Sequence, residues 1–285
     1  MNSEVPFVVK IGGGEGNAFQ PAVIDLARLW SSGSRWVLLH GGSARTNEVS
    51  EALGHPPEFV TSPSGFTSRK TDRKTAEIFS MVYAGEMNTR IVERFQQSGI
   101  NALGLSGLDG GLLRGKRKKA IRIRQNGRTR ILRNNYTGKI ELVNSGLLKT
   151  LLRLGYAPVL SPPALSEEEE IINIDGDRAA AAVAGSLCAD SLILLTGAPG
   201  VLEDSDNEQS VIPHIYADDV QQVIEESARG RMGIKLHAAA EALESGVSEV
   251  IIAPSDCEDP VTGALNGNGT KITKRKEYEN VSHEV

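Results

Sequence analysis

The sequence is poor in the residues that build covalent or metal frameworks. It has two cysteines, Cys188 and Cys257, and they lack metal-ligand spacing. That excludes a disulfide scaffold and implies a reducing interior, hence a cytoplasmic location. The five histidines form no HExxH or related cluster, so a zinc ion held by side chains is not expected. No apolar run is long enough to span a bilayer, and Met1–Pro6 does not read as a signal peptide. Acid is missing from one stretch altogether. Between Gly110 and Ile140 stand eleven Lys or Arg and no Asp or Glu, which leaves −16 on the rest of a chain whose total is −5. A basic island on an acidic body implies a local anionic partner. It argues against general nucleic-acid affinity and against a membrane surface.

What is present is ordinary for a globular protein. The 285 residues are 40% hydrophobic and 24% charged, enough for one large α/β domain or two lobes with a substantial core. The chain is organised around Val8-Val9-Lys10-Ile11-Gly12-Gly13-Gly14. This reads as a buried strand that delivers one ammonium group beside bare backbone, where anionic oxygens can reach N–H groups. Strand Phe7–Ile11, a helical face over 20–30 and strand 36–39 ending in His40-Gly41-Gly42-Ser43 form the pattern of an open parallel sheet. Ligands bind beyond the carboxyl ends of such strands. His40 reads as a hydrogen-bonded histidine that shapes the turn.

Further along, a helix runs through Leu53 and His55-Pro56-Pro57 breaks it. A polar loop over 62–72 carries Arg69 and Lys70, and Arg73 follows. A long helix is expected over 74–97, a strand over 102–105, a helix over 142–154 and a strand over 157–160. Gly110-x-x-x-x-Gly115-Lys116 is not a P-loop. Arg117 replaces the Ser or Thr, and a strand follows instead of a helix. Ala120–Arg124, an Asn-Gly turn and Thr129–Arg133 form a β-hairpin with Arg122 and Arg124 on its exposed face. Lys116, Arg117, Lys118 and Lys119 precede it. Charges on an edge can simply resist aggregation, but that role does not require a single sign. Asn173-Ile174-Asp175-Gly176-Asp177 opens an alanine-rich helix; Asp175 alone can cap it, which frees Asn173 and Asp177. A strand over 191–195 ends in Thr196-Gly197-Ala198-Pro199-Gly200-Val201. Gly230-Arg231-Met232-Gly233-Ile234-Lys235 is read as preceding a helix that ends near Leu243, a placement suited to phosphate. Val250–Ala253 reads as the last strand.

In this order the motifs Lys10-x-Gly12-Gly13, His40-Gly41-Gly42, Arg69 before Thr71-Asp72, Asn173-x-Asp175-x-Asp177, Thr196–Val201 and Gly230–Lys235 resemble the amino acid kinase family, in its acetylglutamate-kinase branch, over about 7–272. The basic stretch 116–123, with Tyr136–Ile140, resembles a sub-branch that acts on 2-aminoadipate or glutamate attached to an acidic amino-group carrier protein, LysW. The resemblance implies a three-layer αβα sandwich with a mostly parallel sheet. It implies an acyl-substrate and carrier lobe over 1–173 with a basic hairpin over 114–135 and a nucleotide lobe over 174–272; the polar stretch 273–285 reads, from its own residues, as a disordered tail. The resemblance also implies a homodimer, and ATP with Mg2+ carried by the nucleotide. In this scheme Lys10 and Lys235 stabilise the transferring phosphoryl group and Asp177 holds them. Gly41, Gly42, Arg69 and Asn173 bind the acyl substrate. Gly12, Gly13, Thr196, Gly200, Val201 and Met232 lie on the nucleotide. Lys116, Arg117, Lys118, Lys119, Arg122 and Arg124 meet the carrier. Gly197 stands where the family has an acidic residue, and Thr67 where archaeal-type relatives have an arginine, so Arg69 is the expected clamp. The other readings are a kinase of free N-acetylglutamate and a non-catalytic sensor. The presence of Lys10, Asp177 and Lys235 speaks against the sensor.

Overall fold

A computed structural model describes residues 5–14, 19–63, 65–125, 127–228 and 230–275. The chain opens with β1 (Phe7–Ile11), α1 (Phe19–Ser31), β2 (Trp36–His40) and α2 (Ser43–Ala52). A hairpin of β3 (Phe59–Thr61) and β4 (Thr67–Arg69) stands where the sequence suggests an open loop. Asp72 accepts a hydrogen bond from the Thr75 N–H and starts one long helical run. That run consists of α3 (Arg73–Ser80), a π-helical segment (Met81–Met87) and α4 (Asn88–Gln97). Next come β5 (Ala102–Ser106), β6 (Leu113–Arg117), β7 (Ala120–Gln125), β8 (Arg128–Arg133) and β9 (Gly138–Val143). The helix expected from Leu142 starts later, as α5 (Ser145–Arg153). Leu142 and Val143 are instead held in β9 by pairing with Arg114 and Leu113, and Asn144 caps the helix.

The chain continues with β10 (Ala157–Ser161), β11 (Ala164–Leu165), β12 (Ile171–Ile172), α6 (Gly176–Leu187) and β13 (Ser191–Thr196). It closes with β14 (His214–Tyr216), α7 (Val220–Glu226), α8 (Arg231–Glu244), β15 (Glu249–Pro254), α9 (Pro260–Leu265) and β16 (Thr270–Thr273). Two expectations change here. Strand β15 is not the last, because β16 returns antiparallel beside it. The ordered chain also passes residue 272: Thr273 lies in β16, and Arg275 pairs with Asp219 at 2.9 Å. The rest of the expected tail, 276–285, lies outside the described residues.

The main sheet has eight strands in the order β14-β16-β15-β13-β1-β2-β10-β5, mostly parallel. The two expected lobes therefore share one sheet, joined where β1 pairs β13. Strand periodicity sorts the side chains into two cores. Val8 of β1 packs with α5, α6 and α8 on one face. Val9 and Ile11 pack with α1, α4 and α9 on the other. The strands are buried on both sides, which explains their nearly unbroken apolar runs. A second sheet has the order β4-β3-β7-β8 and a third β12-β11-β6-β9. The basic hairpin therefore belongs to the same sheet as the strand that ends at Arg69.

One buried carboxylate ties the outer helices together. Asp25 of α1 accepts from the N–H groups of Val261 and Thr262, each at 2.8 Å, and from the Thr262 hydroxyl at 2.7 Å. Asp25→Ala strands three donors at the start of α9. The variant is expected to lose about 3 kcal/mol of stability, read as a lower urea midpoint. An unchanged midpoint would show that water replaces the carboxylate without loss.

Candidate active site

The site forms at the carboxyl ends of β1 and β13, where strand order reverses; in open α/β sheets this is the crevice that takes ligands. Alternation along β1 points Lys10 to the same side as Val8, toward α6 and α8. There Asp177 of α6 meets Lys235 of α8. Lys10 Nζ lies 2.8 Å from Asp177 Oδ1. Lys235 Nζ lies 3.1 Å from Oδ1 and 2.9 Å from Oδ2 of the same carboxylate. The three residues are only 7%, 7% and 8% exposed. Burial opposes the charge on Asp177, but the two ammonium groups outweigh it and hold its pKa well below the usual carboxylate range. Burial also opposes the charge on Lys10, yet Asp177 raises its pKa. Lys235 is lowered by burial and then by the facing Lys10. Asp175 caps α6 through the N–H groups of Asp177 and Arg178, as its spacing suggests. Lys235 sits inside α8, whose N-cap is Gly230; the expected pre-helical segment is the helix's first turn.

The glycine turns meet as bare backbone. A Cβ on Gly13 would lie 1.9 Å from the Gly42 nitrogen, and one on Gly41 would lie 2.4 Å from the Gly13 nitrogen. No side chain fits there. Not every expected N–H donor is available, however. Gly12 donates to Leu195 O at 3.1 Å and Gly41 to Ile11 O at 2.9 Å. Both amides are spent in extending the sheet. Gly13 N–H makes no hydrogen bond among the described residues.

Arg69, from the end of β4, reaches the same crevice. Its Nη2 donates to Asn47 Oδ1 at 2.6 Å and to Ser43 O at 3.3 Å. Its Nη1 is buried and has no partner among the described residues. A buried guanidinium nitrogen without an acceptor marks a place for an anion. Asn173 lies beside it, its amide 3.4 Å from the Thr71 hydroxyl, which in turn donates to Arg69 O.

Of the residues expected on the nucleotide, Thr196 ends β13 half-buried and Met232 lies half-buried at the start of α8. Gly200 and Val201 belong to the packing instead. A Cβ on Gly200 would lie 2.8 Å from Thr270 Oγ1. Val201 is fully buried, its N–H donates to Thr270 Oγ1 at 2.8 Å, and its carbonyl accepts from Ile212. Neither presents a surface to a ligand. Among the described residues no three His, Cys, Asp or Glu side chains are grouped to hold a metal.

The basic island divides into two parts. Arg117 stacks on Tyr136 at 3.5 Å, donates to Asn135 O and pairs with Glu170. Lys119 pairs with Glu168, and Arg114 with Glu169 at 2.8 Å. An acidic loop, Glu167–Glu170, thus neutralises the base of the island, so Arg117 and Lys119 have structural partners. Lys116 and Lys118 are exposed. Arg122, Arg124, Arg128, Arg130 and Arg133 have no carboxylate partner among the described residues.

Residues 6–254 match the family described as the amino acid kinase family. The chain belongs to the amino acid kinase family. It is 50% identical over 266 residues to a LysW-aminoadipate kinase of Deinococcus radiodurans, across 93% of this chain and 91% of that protein. A LysW-aminoadipate kinase of Thermus thermophilus is 48% identical, across 93% and 99%. An acetylglutamate kinase of Methanopyrus kandleri is 38% identical, again across 93% and 99%. N-acetylglutamate synthase from Neisseria gonorrhoeae shares the fold with a TM-score of 0.77 at 24% identity. That match covers 95% of this chain and 60% of the other. Giardia carbamate kinase shares it at 0.66 and 16% identity, across 95% and 99%. As a member of this family the chain is an ATP-using phosphotransferase.

Two neighbours of the site carry no motif signal. Asn47 braces Arg69, and Tyr83 reaches toward Lys10 and Arg69 from the π-helical segment. Each is defined by contacts across distant elements, so spacing along the chain could not find it. Arg231 lies within the Gly230–Lys235 motif, though the resemblance assigns it no role; it opens α8 with its charge within reach of Arg69.

His40 is fully buried, with Nε2 3.1 Å from Asn88 Nδ2 and Nδ1 3.2 Å from Gly41 O. Asn88 also donates to Val159 O, so Nε2 is the acceptor and Nδ1 carries the proton. Burial lowers its pKa from 6.5 to about 4. The unfolded chain therefore binds this proton first as pH falls. The neutral ring contributes stability above pH 6.5, and that contribution is lost between 6.5 and about 4, up to about 3 kcal/mol. Chemical denaturation at pH 7 and pH 4.5 is expected to show the loss, and His40→Gln to flatten it. An equal slope in the variant would assign the acid sensitivity to other groups.

Proposed function

We propose that the protein phosphorylates the side-chain carboxylate of 2-aminoadipate, or of glutamate, attached to an acidic amino-group carrier protein. The product is an acyl phosphate. The observation that carries this reading is the sheet β4-β3-β7-β8. It joins the strand that ends at Arg69 to an arginine face without carboxylate partners among the described residues. In the β7–β8 register, Arg122 lies opposite Ile131, Arg124 opposite Thr129, and Ala120 opposite Arg133. One face therefore presents three arginines around Ile131, which is 61% exposed. A basic face with an apolar centre suits a small acidic protein. A partner bound on this face would rest on the same sheet as the strand that ends at Arg69.

The chemistry needs no general base, because the accepting carboxylate is already ionised at neutral pH. It needs alignment, and positive charge on the oxygens of the migrating phosphoryl group. In this reading Lys10 and Lys235 supply the charge and Gly13 N–H a further donor. Asp177 sets the lysine positions. Arg69, with Asn173 and Gly42 beside it, holds the substrate's second carboxylate. Thr196 and Met232 border the nucleotide. Mg2+ arriving with the nucleotide phosphates would neutralise further charge. A homodimer in the cytoplasm completes the reading. Among the described residues no helix is long and apolar enough to cross a membrane. Free N-acetylglutamate is the second acceptor reading, favoured by the Methanopyrus relative alone among those named above.

Two experiments test the proposal. In an ATP-dependent hydroxamate assay with carrier-linked 2-aminoadipate, Lys10→Ala and Lys235→Ala are each expected to lower kcat by about 100- to 1000-fold. KM should change by no more than about threefold. Normal turnover in either variant rejects that lysine's role. The double charge reversal Arg122→Glu with Arg124→Glu should raise KM for the carrier-linked substrate by about tenfold at low salt. The increase should shrink in high salt, with KM for ATP unaffected. Equal kinetics on carrier-linked substrate would reduce the hairpin to edge protection, and better turnover of free N-acetylglutamate would favour the second reading.

A further inference from the structure

Tyr83 is a buried titratable group that the chemistry above does not use. It lies in the π-helical segment, where the wider turn buries two successive residues, Val82 and Tyr83. Such segments within α-helices re-aim a side chain, and they concentrate at functional sites. Its ring is locked on three sides. Phe79 stacks on it with centroids 3.9 Å apart, and His40 stacks at 6.2 Å. The ring edge closes against the second glycine turn: a Cβ on Gly42 would lie 3.2 and 3.3 Å from two Tyr83 ring carbons. Only the hydroxyl has somewhere to go.

The groups that face that hydroxyl are the ones expected to hold the substrate. The Gly42 N–H is directed at it, and the charges of Lys10, Arg69 and Asp175 reach it. Burial pushes the phenol pKa up, so the oxygen keeps its proton. The O–H donates no hydrogen bond among the described residues. Arg69 Nη1, in the same crevice, is also buried without an acceptor. Two buried donors, the Tyr83 hydroxyl and Arg69 Nη1, thus lack an acceptor among the described residues, while Lys10 beside them is already paired with Asp177.

We propose that Tyr83 is a substrate-contacting residue whose hydroxyl donates a hydrogen bond to a carboxylate of an N-acylated dicarboxylic amino acid held between Arg69 and Lys10. This rests on the kinase reading for the identity of the ligand, but not for its test. A neutral donor suits this position. A third full charge between Lys10 and Arg69 would raise their mutual repulsion in the empty site, whereas a hydroxyl adds directionality without charge. The rigid ring also fixes where the carboxylate stops, so Tyr83 helps set how far the acceptor reaches toward Lys10.

The test is calorimetric titration of the full chain with N-acetyl-2-aminoadipate, for wild type, Tyr83→Phe and Asn47→Ala. Tyr83→Phe keeps the ring stacking, and its melting temperature checks that the fold survives. Loss of the hydroxyl is expected to weaken binding at least about tenfold, the scale of one hydrogen bond to a charged group. Affinity for ATP should not change. Asn47→Ala frees Arg69 from its brace and should weaken the same ligand, while its ATP affinity stays at the wild-type value. Equal affinity in wild type and Tyr83→Phe overturns the proposal. So does failure of wild type to bind this dicarboxylate at millimolar concentration. Phosphoryl transfer is scored separately. Binding that depends on Tyr83 without turnover would overturn the kinase reading and leave Tyr83's role standing.

Discussion

Two ammonium groups share one buried carboxylate, and the fold is arranged to make that possible. Unpaired, Lys10 and Lys235 would repel each other in a poorly solvated crevice, and neither could remain charged cheaply. Asp177 touches both at 2.8–3.1 Å and keeps them within a few ångströms of each other. The price is exact placement of three elements: β1 at the centre of the sheet, and α6 and α8 packed side by side on one of its faces. The alanine-rich face of α6 permits that close packing, with Ala180, Ala181 and Ala184 in the same core as Ala238, Ala239 and Ala242 of α8. The geometry of the Lys10–Asp177–Lys235 cluster and the core packing are therefore one constraint.

The glycine seam follows from the same crevice. Gly13 and Gly41–Gly42 approach until backbone meets backbone, which brings β1 and β2 ends close enough for Lys10, Arg69 and Tyr83 to face one space. The glycines serve less as a set of anion donors than as a way to remove side-chain volume. Gly12 and Gly41 spend their N–H groups inside the sheet, and Gly200 spends its missing side chain on Thr270 and Val211.

Charge is handled differently in the two parts of the basic island. Its base is folded against the Glu167–Glu170 loop and the Tyr136 ring, which fixes β6 and the start of the hairpin. The arginines of its outer strands, β7 and β8, are exposed and have no carboxylate partner among the described residues. The neutralised base acts as an anchor, and the open face of β7 and β8 is the one assigned to the proposed carrier. Because β7 pairs β3, this face is mechanically joined to the strand carrying Arg69.

By itself the sequence determined the elements whose signal is local. Apolar strands buried on both sides, the Asp175 cap, the β7–β8 hairpin and the one-signed island are all legible from neighbouring residues. So are the lysines and the aspartate at the ends of those elements, through the resemblance they carry. The short strands β3, β4, β9, β14 and β16 were not legible, because each is held by cross-strand pairing more than by its own pattern. The sequence did not disclose that Arg117 and Lys119 are neutralised by a loop about fifty residues away, or that Val201 is core. It did not show that Tyr83 turns into the crevice either. Those outcomes depend on which distant groups share a low-dielectric space, and only the tertiary structure decides that, since burial and Coulomb energy follow distance in space and not separation along the chain.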